Sequence, residues 1–422
     1  MSLSISEHTR WRTWLVELTV SLFIGLLGCT LCVWCSRQFP LEIYDIPAMD
    51  IWFDGDSPYL FQNFTNRYSP YMNRTSVHPL YPLVSTVPVQ ILRRLGVSNR
   101  LSEVRIVLGL AAAVWGCSFY ALLRVLGNKR LDAVVFSLLA LSSASVIFWI
   151  GLPEYHFIGS ISLILALLLI AAGSDGRLSG VRYTVASALS LSMTVTNWML
   201  GLVAAVVGQG PKRAIQISAN ALCVVVVLWS FQKPICPSAG FFLVSQRGEV
   251  TYMTRPNVAR LAAASQAFFL HGMTLPAIGT TPNDWNPLEK AHRLTVQVPP
   301  GGHRNIPQGF ASVIWISLCL LGLAGMVVSG ADKTLKITLL VTILGGYALH
   351  LVYGAEVFLY SANYLPLLVV VASLGSQTRY RWSVLGLATV LIAMNLVLNF
   401  AQFHRAISLF ENQYAIFKAS RS

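Results

Sequence analysis

The chain has 422 residues, 55% hydrophobic and 11% charged, with a formal net charge of +13. A soluble domain carries roughly 25% charged residues, so a water-soluble globular protein is excluded. Apolar runs recur from end to end and make this a polytopic membrane protein. Much of the Lys and Arg falls in short connections between those runs, a pattern that sets membrane orientation and does not require a nucleic-acid partner.

The first apolar run, about Trp14 to Cys35, follows a basic N-terminus with His8, Arg10 and Arg12. It is too long for a signal peptide and no small-residue cleavage site ends it, which predicts a retained anchor with a cytoplasmic N-terminus. Cys29, Cys32 and Cys35 recur every three residues along it and read as packing residues. An outer loop, residues 37–103, follows. It contains IWFDGDSPYLFQNF, Ile51 to Phe64, with carboxylates at Asp54 and Asp56. Ser57 is the expected N-cap and Pro58 suits the first turn of a helix reaching about Asn66. The two acids then lie before a helix N-terminus, where the dipole favours negative charge. In His78 to Gly96, Pro79, Pro82 and Pro88 interrupt a short apolar stretch, which predicts a helix on or dipping into the outer surface.

Crossings are expected at Val104 to Leu126, Leu131 to Ile150 and Ile158 to Ala172. A pair within Tyr183 to Gly208, broken at Thr196 to Trp198, comes next, then Ile215 to Phe231. A second large outer loop, residues 232–308, separates these from Phe310 to Val328, Ile337 to Val352, Leu365 to Leu374 and Ser383 to Phe400. The connections NKR, GRLSGVR, PKR, DKTLK and RYR then share one side, as the positive-inside rule demands. The expected fold is an all-α polytopic membrane protein, one integral domain over 1–422. It has about eleven transmembrane helices and juxtamembrane helices in the first outer loop.

The acids divide by side. Glu42, Asp45, Asp50, Asp54, Asp56, Glu103, Glu154, Glu249, Asp284, Glu289 and Glu356 fall outside or at an outer helix end. Asp132, Asp175 and Asp332 alone fall in inner connections, which points to a function at the outer face. The order of features resembles the GT-C membrane glycosyltransferases, such as protein O-mannosyltransferases and the lipid A aminoarabinose transferase. The likeness covers about Trp14 to Ala172. It comprises a first helix, an acidic outer loop with a juxtamembrane helix, and the element His78-Pro79-Leu80. A Gly-Val-Ser turn at Gly96, Arg105 opening the second span and Glu154 after the third complete it.

That resemblance implies transfer of a sugar, with inversion, from a polyprenyl-phosphate donor to a hydroxyl of a lipid-linked or glycan acceptor. The site would face the periplasm from a bacterial inner membrane, among membrane lipids and with no nucleic acid. Because a lipid phosphate leaves without protonation, one carboxylate suffices as base. Asp54 is the first choice, with Asp56 second or as helper. Arginine suits the phosphate, with Arg105 foremost and Arg74 and Arg255 beside it. His78, Glu154, His156, Glu356 and Tyr360 are the candidate substrate contacts. A divalent ion such as Mg or Mn held by Asp54 and Asp56 is left open. Two rival readings are an O-antigen polymerase or ligase, suggested by Arg247, Arg255, Arg260, His271 and Arg304 in the second loop, and a lipid or glycan transporter. Transporters place polar groups at mid-membrane and show paired halves, and no internal repeat is visible here.

Overall fold

The computed structural model describes residues 7–173, 179–244, 247–282, 291–297 and 305–420, with the side chains of residues 7–13 and 247–248 left out. Expectations placed on His8, Arg10, Arg12, Asp175, Arg247, Asp284, Glu289 and Arg304 lie outside this description. Helix α1 (Glu7–Gln38) runs antiparallel to α5 (Arg100–Val125). Small residues set their spacing: a Cβ on Gly28 would sit 2.8 Å from the Ala112 carbonyl, and one on Gly116 2.9 Å from that of Ile24.

Between them lie three short helices, α2 (Ser57–Thr65), α3 (Tyr81–Val84) and α4 (Thr86–Arg94), of 9, 4 and 9 residues. A span needs roughly 20 residues, so none of these crosses. Glu103, fully buried at the start of α5, accepts from Arg93 Nη2 at 2.7 Å and Nε at 2.9 Å and fixes α4 in place. The start of α2 differs from expectation by one residue. Asp56 holds the N-cap position and Ser57 is already helical, with Leu60 N–H bonded to the Asp56 carbonyl at 3.0 Å.

Among the described residues, seven helical stretches are long and apolar enough to cross a membrane. These are α1 from Trp14, α5, α11 (Pro211–Ile235), α13 (Ile306–Val328), α14 (Lys333–Val352), Val357–Gln377 containing α15 (Ser361–Ser373), and α16 (Arg381–Ala419). The other expected crossings occupy shorter helices. They are α6 (Arg130–Leu141) with α7 (Ala144–Trp149), α8 (Tyr155–Ala171), α9 (Ser179–Met193) and α10 (Trp198–Gln209). The break expected at Thr196 is present, as a turn of 3₁₀ helix at Val195–Asn197.

Two departures from the sequence reading shape the interior. The second loop is not polar throughout: α12 (Val258–Gln266) leads into a π-helical turn, Ala267–His271, and Phe268, Met273 and Leu275 are fully buried. That segment lies against a break in the expected span Leu131 to Ile150. Ala144 N–H donates to Met273 O at 3.1 Å and Ser145 N–H to Gly272 O at 2.9 Å. Asn399 of α16 closes the remaining gaps. Its Nδ2 donates to Ser142 O (3.0 Å) and Met273 O (2.9 Å), and its Oδ1 accepts from Leu275 N–H (3.0 Å). One turn earlier, Asn395 Oδ1 accepts from Thr274 Oγ1 at 2.6 Å. Irregular backbone at such depth persists only where protein groups satisfy it.

The second departure is the length of α16. Expected to end at Phe400, it continues to Ala419 and has 39 residues, about 58 Å at 1.5 Å per residue, well beyond a hydrocarbon core of roughly 30 Å. Its last turns support the segments that follow α1 and α12. Gln413 Oε1 accepts from His292 N–H at 2.8 Å and Tyr414 Oη donates to Asp45 at 3.2 Å. His292 opens β2 (His292–Thr295), which pairs antiparallel with β1 (Gly279–Pro282) as a small non-helical element. At the opposite end of the bundle, Glu17 accepts from Arg124, Arg130 and Tyr120 at 2.7–2.9 Å, and Asp132 accepts from Arg381 Nε at 3.0 Å.

Candidate functional site

The Asp54–Asp56 loop is held from beneath. Trp52 and Phe53, 1% and 0% exposed, point into a cluster of rings from Phe39, Phe148, Phe358 and Phe403. Ile51 O accepts from Leu294 N–H of β2 at 2.8 Å. Three nearby residues take the left-handed conformation: Asp50 (φ 64°), Phe53 (φ 49°) and Asp54 (φ 63°). Asp tolerates this region, whereas for a bulky ring it is a true outlier, of order 1–3 kcal/mol. Gly55 is required sterically, since a Cβ would lie 2.9 Å from Trp52 O and 3.3 Å from the Trp149 ring.

The two carboxylates do not act as a pair. Asp54 Oδ1 meets Arg293 Nη1 at 3.2 Å, the two side chains 12% and 9% exposed. Arg293 and Thr295 are two apart on β2 and so project to one side. Thr295 Oγ1 donates to Glu356 at 2.6 Å. Asp54, Arg293, Thr295 and Glu356 thus form one enclosed group. Burial pushes the Glu356 carboxyl up to about 7, against the hydrogen bond from Thr295.

Asp56 belongs to a second group, beside the Arg74 end of a cavity of about 260 Å³. Arg74 lies between two acids, with Nη1 2.9 Å from Glu249 and Nε 3.8 Å from Asp56, and its guanidinium stands 5.1 Å over the Tyr252 ring. Glu249 also accepts from Tyr353 Oη. Arg74 therefore ties the segment between α1 and α5 to the one between α11 and α13. Desolvation raises the Asp56 pKa, opposed by Arg74, and its side chain remains 27% exposed. Arg74 is held still more firmly protonated than usual by Asp56 and Glu249, which outweigh its desolvation.

The cavity changes character along its length. Arg74, Glu249 and Tyr353 stand at one end, and His78, His156, Thr194, Asn197 and Asn363 line the polar middle. Leu163, Met199, Leu349 and Leu367 supply an apolar wall, and Gly346 leaves room beside it. A Cβ on Gly346 would meet only the Phe268 ring, at 3.9 Å. His78 stacks on Tyr155 at 3.8 Å and its Nδ1 lies 2.9 Å from Met193 O. Burial, aided by Arg74, lowers its pKa to about 3, so the ring is neutral. Glu154 lies behind Asp56, 1% exposed, accepting from Tyr155 N–H at 2.9 Å. Burial, then the negative charge of Asp56, pushes its carboxyl up to about 8.

Several expected residues meet here and others do not. Arg74, His78, His156 and Tyr360 line the cavity, with Asp56 3.8 Å from Arg74. Asp54 and Glu356 lie in the adjoining group and Glu154 behind the loop. Arg105, the foremost phosphate candidate, is elsewhere: its Nη2 donates to Ser36 O at 2.7 Å and joins α5 to the end of α1. Its position at a helix end near Glu103 misled, because Glu103 is taken by Arg93. Arg255 is exposed and does not line the cavity. Arg260, one turn on, donates to the Leu351 and His350 carbonyls and caps α14. The sequence reading gave no role to Glu249, His350, Asn197 or Asn363. A signal for His350 was available, as an ionisable side chain within an apolar run marks function by default. Asp54 and Asp56 each face a different arginine, and among the described residues no three His, Cys, Asp or Glu converge as metal ligands.

The buried carboxyls give a pH prediction. Glu154 and Glu356 hold protons in the folded state that the unfolded chain releases above about pH 4.3. Their contribution to stability is therefore present at low pH and lost as pH rises through about 7 to 8. His78 acts oppositely, but only below its unfolded value of about 6.5. Between pH 6.5 and 8.5 the Tm is expected to fall, and Glu154→Gln to flatten that slope. A Glu154→Gln profile as steep as the parent would exclude Glu154 as the source.

Comparison with family models, with curated proteins and with solved structures finds no match to this chain.

Proposed function

We propose that the protein is a membrane glycosyltransferase that moves a sugar from a polyprenyl-phosphate donor to an acceptor hydroxyl at the outer membrane face. The observation that carries this reading is the cavity itself: a guanidinium at one end, neutral polar groups behind it and an apolar wall beside them. A lipid phosphate has the matching sequence of charge, polarity and hydrocarbon. We assign the base to Asp56 in preference to Asp54, because Asp54 is enclosed with Arg293 while Asp56 is the more exposed and stands beside Arg74, which lines the cavity. In the proposed step Asp56 takes the acceptor proton and the acceptor oxygen bonds to the anomeric carbon. The bond to phosphate breaks, its electron pair stays on the phosphate oxygen, and Arg74 stabilises the departing anion. The positive charge comes from arginine, and no step is routed through a metal.

Purified protein given a polyprenyl-phosphate sugar and a hydroxyl acceptor should release polyprenyl phosphate. Movement of the lipid across a vesicle without bond cleavage would favour a transporter instead. The proposed orientation puts the basic connections in the cytoplasm, with about eleven crossings if the shorter helices traverse. A reporter inserted after Lys129 is then expected to read as cytoplasmic, and an external signal would reverse the threading.

A further inference from the structure

We propose that the polar middle of the cavity is a neutral-sugar subsite, built to hold an uncharged pyranose by its hydroxyls and to disfavour a uronate. The proposal rests on the lipid-phosphate reading of the Arg74 end. Three polar groups converge on Gly159 of α8: a Cβ there would lie 3.1 Å from Asn363 Oδ1, 3.5 Å from Thr194 Oγ1 and 3.6 Å from Asn197 Nδ2. Two come from the 3₁₀ turn capped by Thr194 and one from α15, and all three residues line the cavity.

Hydrogen bonding fixes what each group still offers. Asn363 Nδ2 donates to His156 Nδ1 at 3.0 Å, which leaves Oδ1 as the free end of the amide. Thr194 Oγ1 donates to Met193 O at 2.7 Å and lies 3.1 Å from His78 Nδ1, which leaves one lone pair to accept from a ligand. Asn197 is only 9% exposed, and neither its Nδ2 nor Asn363 Oδ1 has a hydrogen-bond partner among the described residues. An unpaired buried amide is costly to maintain, and native proteins rarely leave one without purpose.

A donor beside two acceptors matches a hydroxyl, which both donates and accepts. A carboxylate only accepts and would face Asn363 Oδ1 and Thr194 Oγ1, and Arg74, the one cation among the described lining residues, is already engaged by Glu249 and Asp56. An ammonium sugar would find no free carboxylate among the described lining residues, Glu249 being bound to Arg74. Gly159 is the residue that keeps the three groups reachable, because a methyl in its place would stand among them.

The test uses the full-length protein in nanodiscs and measures binding of polyprenyl phosphate, polyprenyl-phosphate hexose, polyprenyl-phosphate hexuronate and a soluble methyl hexoside. The hexose lipid is expected to bind about tenfold more tightly than the bare lipid phosphate. Asn197→Ala, Asn363→Ala and Gly159→Ala should each remove about three- to tenfold of that gain while leaving bare polyprenyl phosphate unchanged. A hexuronate lipid bound as well as the hexose lipid, or variants that weaken both lipids alike, would overturn the subsite and leave the phosphate reading standing. If neither lipid binds, the phosphate reading fails. The subsite then stands only if the methyl hexoside binds saturably and loses affinity in Asn197→Ala, and falls otherwise.

Discussion

Asp56→Asn is expected to reduce release of polyprenyl phosphate by 10²–10⁴-fold, the usual worth of a positioned general base, with the fold intact. The substitution keeps the side-chain shape and removes the proton acceptor beside the cavity, where Asp56 is 27% exposed next to Arg74. Arg74 retains Glu249 at 2.9 Å, so the link between the two segments survives. The neighbouring Asp54→Asn should fail differently. It leaves Arg293 buried without its carboxylate, a change of about 3–5 kcal/mol, so lower Tm and yield would precede any loss of rate per folded molecule. Measuring turnover and Tm for both variants separates the roles. Full turnover in Asp56→Asn would return the base to Asp54 or to another acid.

Asn399→Leu is expected to cost more stability than any single surface change, about 2–6 kcal/mol, from one carbonyl and one N–H left unpaired in the interior. Those groups are Ser142 O and Leu275 N–H, both bonded to the one amide at 3.0 Å, while Met273 O loses one of two donors and keeps Ala144 N–H at 3.1 Å. Asn399 is fully buried, so water has no ready route to replace it. Asn399→Gln keeps the chemistry but lengthens the arm and should recover only part of the loss. Thermal unfolding in detergent is the direct measurement, and an Asn399→Leu protein with parental Tm would mean that the break in the α6–α7 span is satisfied in some other way.

The membrane character, the early helices of the first outer loop and the break near Thr196 were legible because each has a local cause: apolar length, proline spacing and a polar interruption. The Asp54–Asp56 loop was legible as a place but not as an arrangement. Its two acids part because Asp54 turns left-handed and meets Arg293, more than two hundred residues away in sequence. No local pattern announces such a partner. Arg105 shows the converse, since a basic residue at a helix end reads as an anion site when its true acceptor is the Ser36 carbonyl. The buried stretch after Val258 was hidden in a loop because its polar flanks dominate its short apolar core. The second half of α16 was hidden because a helix that leaves the bilayer loses the apolar signature of a span while keeping its geometry.

The left-handed turn at Asp50, Phe53 and Asp54 carries a thermodynamic consequence. With Trp52 and Phe53 locked among rings, the backbone beneath the acids has little freedom left to lose when a ligand arrives. The ordering entropy of this loop is met once, during folding, and is not charged against each binding event. A ligand reaching the Arg74 end of the cavity therefore meets Asp56 already in position, and more of its contact energy remains as affinity.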